Sequence, residues 1–404
     1  MDMNFHYFAV KTIADFVGFS NNESQMIAEA SQLVDDFDLY MPLWLNSVPE
    51  YAASRANRIV GGYRFRVVTT GFNTSLDMIN MTLHSNPERV VTPFHFIPRN
   101  PRLTSIESKY RAELRVTPAK INDGSLIAQM LEKAKKTLSN ITEYAGRMAE
   151  LMHIGMLLHT FADTYAHQLF SGSHGWENHA SLIRVIKNKD GSDITEQYEP
   201  EKYHLYFSLG HANLNHAPDD TFITFTAKLK QSEDDKDYSL VYTRNNGAEF
   251  LTAAKEIAKY LCACKGTTFT SDLWERLEGV LAKGFLSEPC TEDDIPRYRD
   301  LVPDWDRKLN WERKLDWNDV GSTGLELRLV SERKFALEWS AICADFGREI
   351  NFGYNRGEVF EKLIPTSVNW SSYLHNPYND AVDLFFKYNM YAQEQREIVM
   401  GINS

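Results

Sequence analysis

The stretch that decides the reading is Leu157–His179, LLHTFADTYAHQLFSGSHGWENH. It holds four of the chain's twelve histidines. His159, Asp163 and His167 repeat every four residues, and on an α-helix such a step turns the side chain only about 40° past a full turn. The spacing therefore predicts a narrow stripe of ligand-type groups on one helix face. Leu157, Leu158, Phe161, Ala162, Tyr165, Ala166 and Leu169 fill the other faces, and a helix that is apolar nearly all round belongs in a core. A carboxylate buried there needs a partner. Between two imidazoles, a metal ion is the expected one. The plainer alternative is a core helix whose histidines hydrogen-bond to neighbouring elements.

Working outward, residues 124–170 (GSLIAQMLEKAKKTLSN and onward) predict one or two long helices, solvated near Glu132–Lys136 and increasingly apolar toward the stripe. After Phe170 a Ser/Gly-rich loop carries His174, Glu177 and His179, expected to touch substrate. Upstream, Phe5–Val17 has helical periodicity and places His6 on its helix. Ser20 and Glu23 form a capping box for a second helix. That helix ends in Asp35-Asp36-Phe37-Asp38, three acids at the negative end of the helix dipole, which calls for a cation. Residues 57–98 read as loops with short strands, and Pro93 and Pro98 pin the segment around His95. Downstream, His211 and His216 flank a turn closed by Pro218-Asp219-Asp220. Alternation over 221–230 and 238–242 predicts a β-hairpin inserted at about 221–243. The rest is helical, and the Trp- and charge-rich 303–317 is a candidate partner contact.

Composition sets bounds. The chain has 404 residues, 43% hydrophobic and 12% aromatic, with a formal charge of −12. No basic footprint supports an extended nucleic-acid surface. Four cysteines with no zinc-finger spacing are expected to be reduced thiols. No signal peptide or transmembrane run is visible, so a cytoplasmic protein is expected.

The order of these residues resembles the superfamily of zinc-dependent phospholipases C and single-strand nucleases, all-α enzymes with a cluster of zinc ions. Phe5-His6-Tyr7, Val34-Asp35-Asp36, Pro93-Phe94-His95-Phe96, Leu158–Asp163 and Gly210-His211 are similar to a bacterial family of unassigned function. The resemblance spans about residues 1–260. It implies a mostly α, multi-helix phospholipase C-like bundle with the hairpin inserted, and a helical extension over 261–404 packed on it. Metal ligands would be His6, Asp36 (or Asp35), His95, His159, Asp163, His167, His211 and His216, with Asp219 as the alternative to His216. Asp35 or Asp36 would be the general base. The superfamily's secreted members use a mature N-terminal amine as a further ligand, and this chain shows no cleavage site before His6. Two to three ions are implied, zinc or else Mn or Fe. The function implied is hydrolysis of a phosphoester, a phospholipid head group or a nucleotide. Two rivals stand beside it: a non-catalytic helical interaction protein of a bacterial conflict system on an inherited scaffold, and a helical His-Asp phosphohydrolase. The second lacks its adjacent His-Asp dipeptide.

Overall fold

The computed structural model describes residues 1–38, 42–45, 47–71, 88–100, 107–198, 209–315, 322–363 and 380–401. It is mostly helical with two small three-stranded antiparallel sheets. A π-helical turn at Asn4–Ala9 runs into α1 (Val10–Val17), which Gly18 ends in a left-handed conformation. The predicted capping box opens α2 (Asn21–Asp36): the Ser20 N–H donates to Glu23 Oε2 at 2.9 Å, and the Glu23 N–H to Ser20 Oγ at 3.4 Å. Strands β1 (Leu43–Leu45), β2 (Ala56–Ile59) and β3 (Gly62–Phe65) form the first sheet, ordered β1-β3-β2. The short α3 (Glu88–Phe94) carries Pro93 in its last turn and hands the chain to His95.

The expected long helical region is two helices, α4 (Leu126–Asn140) and α5 (Tyr144–Ala166). From Met148 to Ala166 every α5 residue except His153 is buried, as an all-round apolar helix requires. Helix α5 lies directly on α2, and Gly155 makes the approach possible. A Cβ there would stand 2.3 Å from Ile27 O and 2.8 Å from Ala30 Cβ. One turn further along, His159 comes within reach of the α2 backbone.

The predicted hairpin is present as β5 (Ile223–Leu229) and β6 (Leu240–Asn245). The sequence reading did not find β4 (Ala180–Lys187), which pairs with β5 and completes the second sheet. Its inner face (Val185, Ile223, Phe225, Ala227, Leu229) closes a core of its own over Phe96 and Phe170. Among the described residues the longer remaining helices are α6 (Asn246–Lys265), α7 (Ser271–Gly284), α8 (Trp305–Leu315), α9 (Ser322–Asp345), α10 (Arg356–Leu363) and α11 (Asp380–Met400). The main core includes Phe5, Ile27 and Leu157, and equally Trp339, Phe360 and Phe385, so residues on both sides of position 260 share it. In the segment 303–317, helix α8 turns Leu309, Trp311 and Glu312 inward and leaves Asp306, Arg307 and Asn310 exposed; residues 316 and 317 lie outside the described residues. Among the described residues no helix is long and apolar enough to cross a membrane.

Candidate metal centre

Buried and half-buried carboxylates and imidazoles from five separated segments converge beside the C-terminal half of α5. Asp163 is fully buried at the middle. Its Oδ1 lies 3.1 Å from His6 Nε2, and its Oδ2 lies 3.1 Å from both His95 Nδ1 and His159 Nε2. Asp35 Oδ1 faces the same two nitrogens, at 3.8 Å from His95 Nδ1 and 3.6 Å from His159 Nε2, which are themselves 3.2 Å apart. Two ligands bound at about 2.0–2.2 Å to one tetrahedral ion stand about 3.3–3.6 Å apart. The five distances given among Asp35, His95, His159 and Asp163 run from 3.1 to 3.8 Å, and Asp35, His95 and His159 can offer ligand atoms to one ion.

Two further groups adjoin it. His6, His159 and Asp163 can offer ligand atoms to one ion. Beyond the end of α5, His167, His211 and Asp219 make another: His167 Nε2 is 2.9 Å from Asp219 Oδ1 and His211 Nε2 is 3.3 Å from Asp219 Oδ2. His167 caps the helix rather than continuing it, so the stripe read from sequence serves two neighbouring groups.

The tautomers are fixed by the backbone. His95 Nε2 donates to Thr70 O at 2.8 Å, His159 Nδ1 to Ser31 O at 2.8 Å, His167 Nδ1 to His95 O at 2.6 Å and His211 Nδ1 to Asn215 O at 3.0 Å. A carbonyl can only accept, so each ring holds its proton on that side. The other nitrogen of each ring then faces a carboxylate, lone pair to lone pair unless it too is protonated. That arrangement is repulsive unless a cation, either a proton or a metal ion, lies between them. It is the outer support that metal-binding histidines carry.

The charges favour both kinds of cation: burial lowers the His95 imidazole, but Asp163, Asp35 and the Thr70 carbonyl outweigh it and raise it above its ordinary value. Burial pushes the Asp163 carboxyl up, but His167, the amine of Met1, His159 and His6 together hold it well below the usual carboxylate range. Burial also opposes ionisation of Asp219, and His211, the same amine and His167 outweigh it. For His211 burial prevails over Asp219 and brings the imidazole down to about 4, the neutral form a ligand needs. His6 is likewise held well below its ordinary value, by burial, His159 and the amine. Asp35 is raised, burial outweighing His159 and His95. With 31% of its side chain exposed, Asp35 marks the open side of the cluster.

Two groups stand otherwise than the sequence led one to expect, the N-terminal amine and Asp36. The amine of Met1 lies buried at 2.6 Å from Asp163 Oδ1 and 3.3 Å from Asp219 Oδ1, and these acids with Asp35 raise it, against burial, to about 11. Asp36 is not in the cluster. It projects about 100° around the helix from Asp35, where Arg328 Nη2 bonds its Oδ1 at 2.6 Å and the Tyr354 hydroxyl donates to Oδ2. Burial raises its carboxyl, and Arg328 and Arg356 more than reverse that. Arg356 also bonds Asp38 at 3.1 Å. The three acids at the end of α2 do need cations, and arginines of the C-terminal helices serve two of them. Asp35 is the one left facing the histidines.

His216 is exposed and outside all three groups, and Asp219 stands in its place. His174 is exposed as well. Glu177 is not open to a substrate: it is buried, with Arg111 on both oxygens at 2.6 and 2.7 Å and Ser171 Oγ at 2.7 Å. His179 is half-buried, its imidazole lowered by burial and by Lys230.

A loop braces the end of α2. Thr70 Oγ1 bonds Val34 O at 3.0 Å, and the Thr70 and Gly71 N–H groups both donate to Phe37 O at 3.0 Å. A Cβ on Gly71 would stand 1.8 Å from Asp35 O. On the other side, Arg244 of β6 donates to Tyr165 O and Ala166 O at 2.7 Å and to Pro218 O at 2.5 Å. It ties the end of α5, which precedes His167, to the turn that carries Asp219.

The chain belongs to a family of unknown function, DUF6765. The family model matches residues 1–347. No curated protein and no solved structure matches the chain. The DUF6765 match takes in every residue of the three groups together with Arg244 and Arg328, and stops before α11. It agrees with the expected family of unassigned function and assigns no activity.

Proposed function

We propose that this protein is a metal-dependent phosphoester hydrolase of the zinc phospholipase C and single-strand nuclease kind. The observation that carries the reading is the set of four histidines, each spending one nitrogen on a backbone carbonyl and aiming the other at Asp35, Asp163 or Asp219. The donors are imidazole nitrogens and carboxylate oxygens without thiolate, which suits zinc, manganese or iron. Asp35, His95, His159 and Asp163 would hold one ion, and His167, His211 and Asp219 a second. His6, with Asp163 and His159, would hold a third. Because the two oxygens of Asp163 face different histidines, its carboxylate is placed to bridge.

Bound ions of this type supply Lewis acidity toward a phosphoryl oxygen and lower the pKa of water. The chain's own part is orientation and proton handling. Asp35, on the open side, is placed to take the proton of an attacking water as the phosphorus–oxygen ester bond breaks. Asp36 is unavailable for that role because Arg328 and Tyr354 hold it.

The test is metal analysis of protein purified without chelator or histidine tag, beside turnover of a chromogenic phosphodiester. Two to three ions per chain and chelator-sensitive turnover are expected. Less than one ion per chain after refolding with zinc, and no rise in melting temperature on adding it, overturns the reading.

A further inference from the structure

The first sheet carries a charge and an apolar tip that the metal centre does not use. Residues 42–71 contain four arginines, Arg55, Arg58, Arg64 and Arg66, and one acid, Glu50: net +3 in a chain of −12. There is no lysine among them. Arg58, Arg64 and Arg66 are exposed and make no ion pair among the described residues. Arg89 and Arg396 add to the same side. Burial, Arg396 and Arg66 lower the Arg55 guanidinium to about 10, with only Glu397 opposing them. Arg396 is lowered by burial and then by Arg89. Guanidiniums gathered against their own repulsion fit a polyanion, and arginine's planar fork pairs with phosphate in two bonds.

The same sheet exposes large apolar groups. In register, Trp44 lies opposite Arg64, and Arg64 opposite Asn57, so these three share the outer face, which Arg66 continues two residues on, whereas Arg58, opposite Tyr63, belongs to the other face. Trp44 is 62% exposed, and Val60, at the β2–β3 turn, is fully so. The turn Val60-Gly61-Gly62 makes the hairpin tip, a projection rather than a groove. An apolar tip ringed by arginine and one tryptophan is the composition of a surface that enters the lipid headgroup layer. A nucleic acid would meet the arginines but gain nothing from Val60, and the chain's overall charge opposes it.

We propose that the β1-β3-β2 sheet docks the protein on an anionic lipid surface, with Val60 and Trp44 entering the headgroup layer and Arg64 and Arg66 of the outer face pairing with lipid phosphates. This stands apart from the metal centre, because it is read by binding without turnover.

The experiment is co-sedimentation of the full chain with phosphatidylcholine vesicles, with and without phosphatidylserine, over a range of salt. Binding is expected only to the phosphatidylserine vesicles and weakens as salt rises. Each arginine replaced by glutamine should weaken it about fivefold, so Arg64→Gln with Arg66→Gln costs about 25-fold. Val60→Asp should reduce it at least as much as one arginine. All three positions are exposed, so unchanged circular dichroism and metal content accompany the loss. Three results overturn the proposal: no binding to phosphatidylserine vesicles, binding indifferent to Val60→Asp, or arginine-dependent binding to a single-stranded oligonucleotide with none to vesicles.

Discussion

Asp163→Asn tests the centre most directly. The amide is nearly isosteric, so the packing around α5 should hold. Its two ends differ, however: one accepts and the other donates. Whichever way it is turned, one N–H₂ faces nitrogens that are meant to share a cation with it, either His6 and the amine of Met1 or His95 and His159. The negative charge that offsets two ions is also gone. The variant should lose bound metal and lose at least about 10²-fold in phosphodiester turnover, the scale at which electrostatic stabilisation is removed. Stability separates this from a structural role. Metal at a hundred times its Kd stabilises the folded wild type by about 2.7 kcal/mol. Loss of a buried acceptor costs about 1–3 kcal/mol with or without metal. Melting should therefore be recorded for both proteins, with and without chelator. Chelator should lower the wild-type melting temperature and leave the variant nearly unmoved. A variant that melts lower but retains its metal, and shifts as far on chelation as the wild type, would show that Asp163 is a core hydrogen-bond acceptor, and the proposed function would fall with it.

Three other expectations follow from particular contacts. Gly71→Ala puts a methyl group into the Asp35 carbonyl, so it should weaken metal binding more at the Asp35 group than at the His167–His211–Asp219 group, which feels the change only through the His95 backbone; equal loss of all ions in metal titration would contradict this. Arg244→Ala removes bonds to Tyr165, Ala166 and Pro218 and leaves buried carbonyls bare, a cost of about 1–3 kcal/mol; a denaturation midpoint within error of the wild type would contradict it. Glu23 is opposed by burial but held down to about 2 by the Ser20 N–H, Arg147 and Lys265, against an ordinary value of 4.5. Its folded pKa is depressed, so its stabilisation is present above pH 4.5 and is lost as pH falls toward about 2. Glu23→Gln should thus be less stable than wild type at neutral pH, and the gap should close over that window in pH-dependent melting.

Local signals in the sequence carried far. The capping box at Ser20–Glu23, the all-round burial of α5, and the alternation that makes β5 and β6 are each written in a few consecutive residues. The His-x-x-x-Asp step placed His159 and Asp163 correctly, because helical geometry fixes them relative to each other. What failed was whatever depends on distant partners. Spacing cannot choose between Asp35 and Asp36, since both sit in the last turn of α2. Arg328, nearly three hundred residues away in sequence, makes that choice by pairing with Asp36. His216 and Asp219 presented the same kind of choice, decided by how the turn around Pro218 folds back onto α5. Glu177 looked like a loop residue open to ligand, and Arg111 closes it. Strand β4 was missed because only one end of it alternates cleanly, and β5 supplies its pairing.

The distribution of supports has a consequence for the centre as a whole. The carbonyls that fix the histidines come from Ser31 of α2, Thr70 of the bracing loop, His95 itself and Asn215 of the turn after His211. His95, His159 and His167 are therefore each oriented by a segment other than their own, and His211 is held within its own turn by Asn215. His95 is a potential ligand in one group, and its carbonyl orients a ligand of the next, His167. The groups are mechanically linked through that one residue. Movement at the Thr70 end turns the His95 ring, and movement of the His95 backbone turns His167. Chelation should accordingly loosen α2, α5 and the 209–220 turn together in hydrogen exchange, since metal bound only to the folded state stabilises every element that builds its site. If exchange quickened only in the 171–179 loop, where Glu177 is held by Arg111 rather than by the centre, the linked arrangement would be wrong.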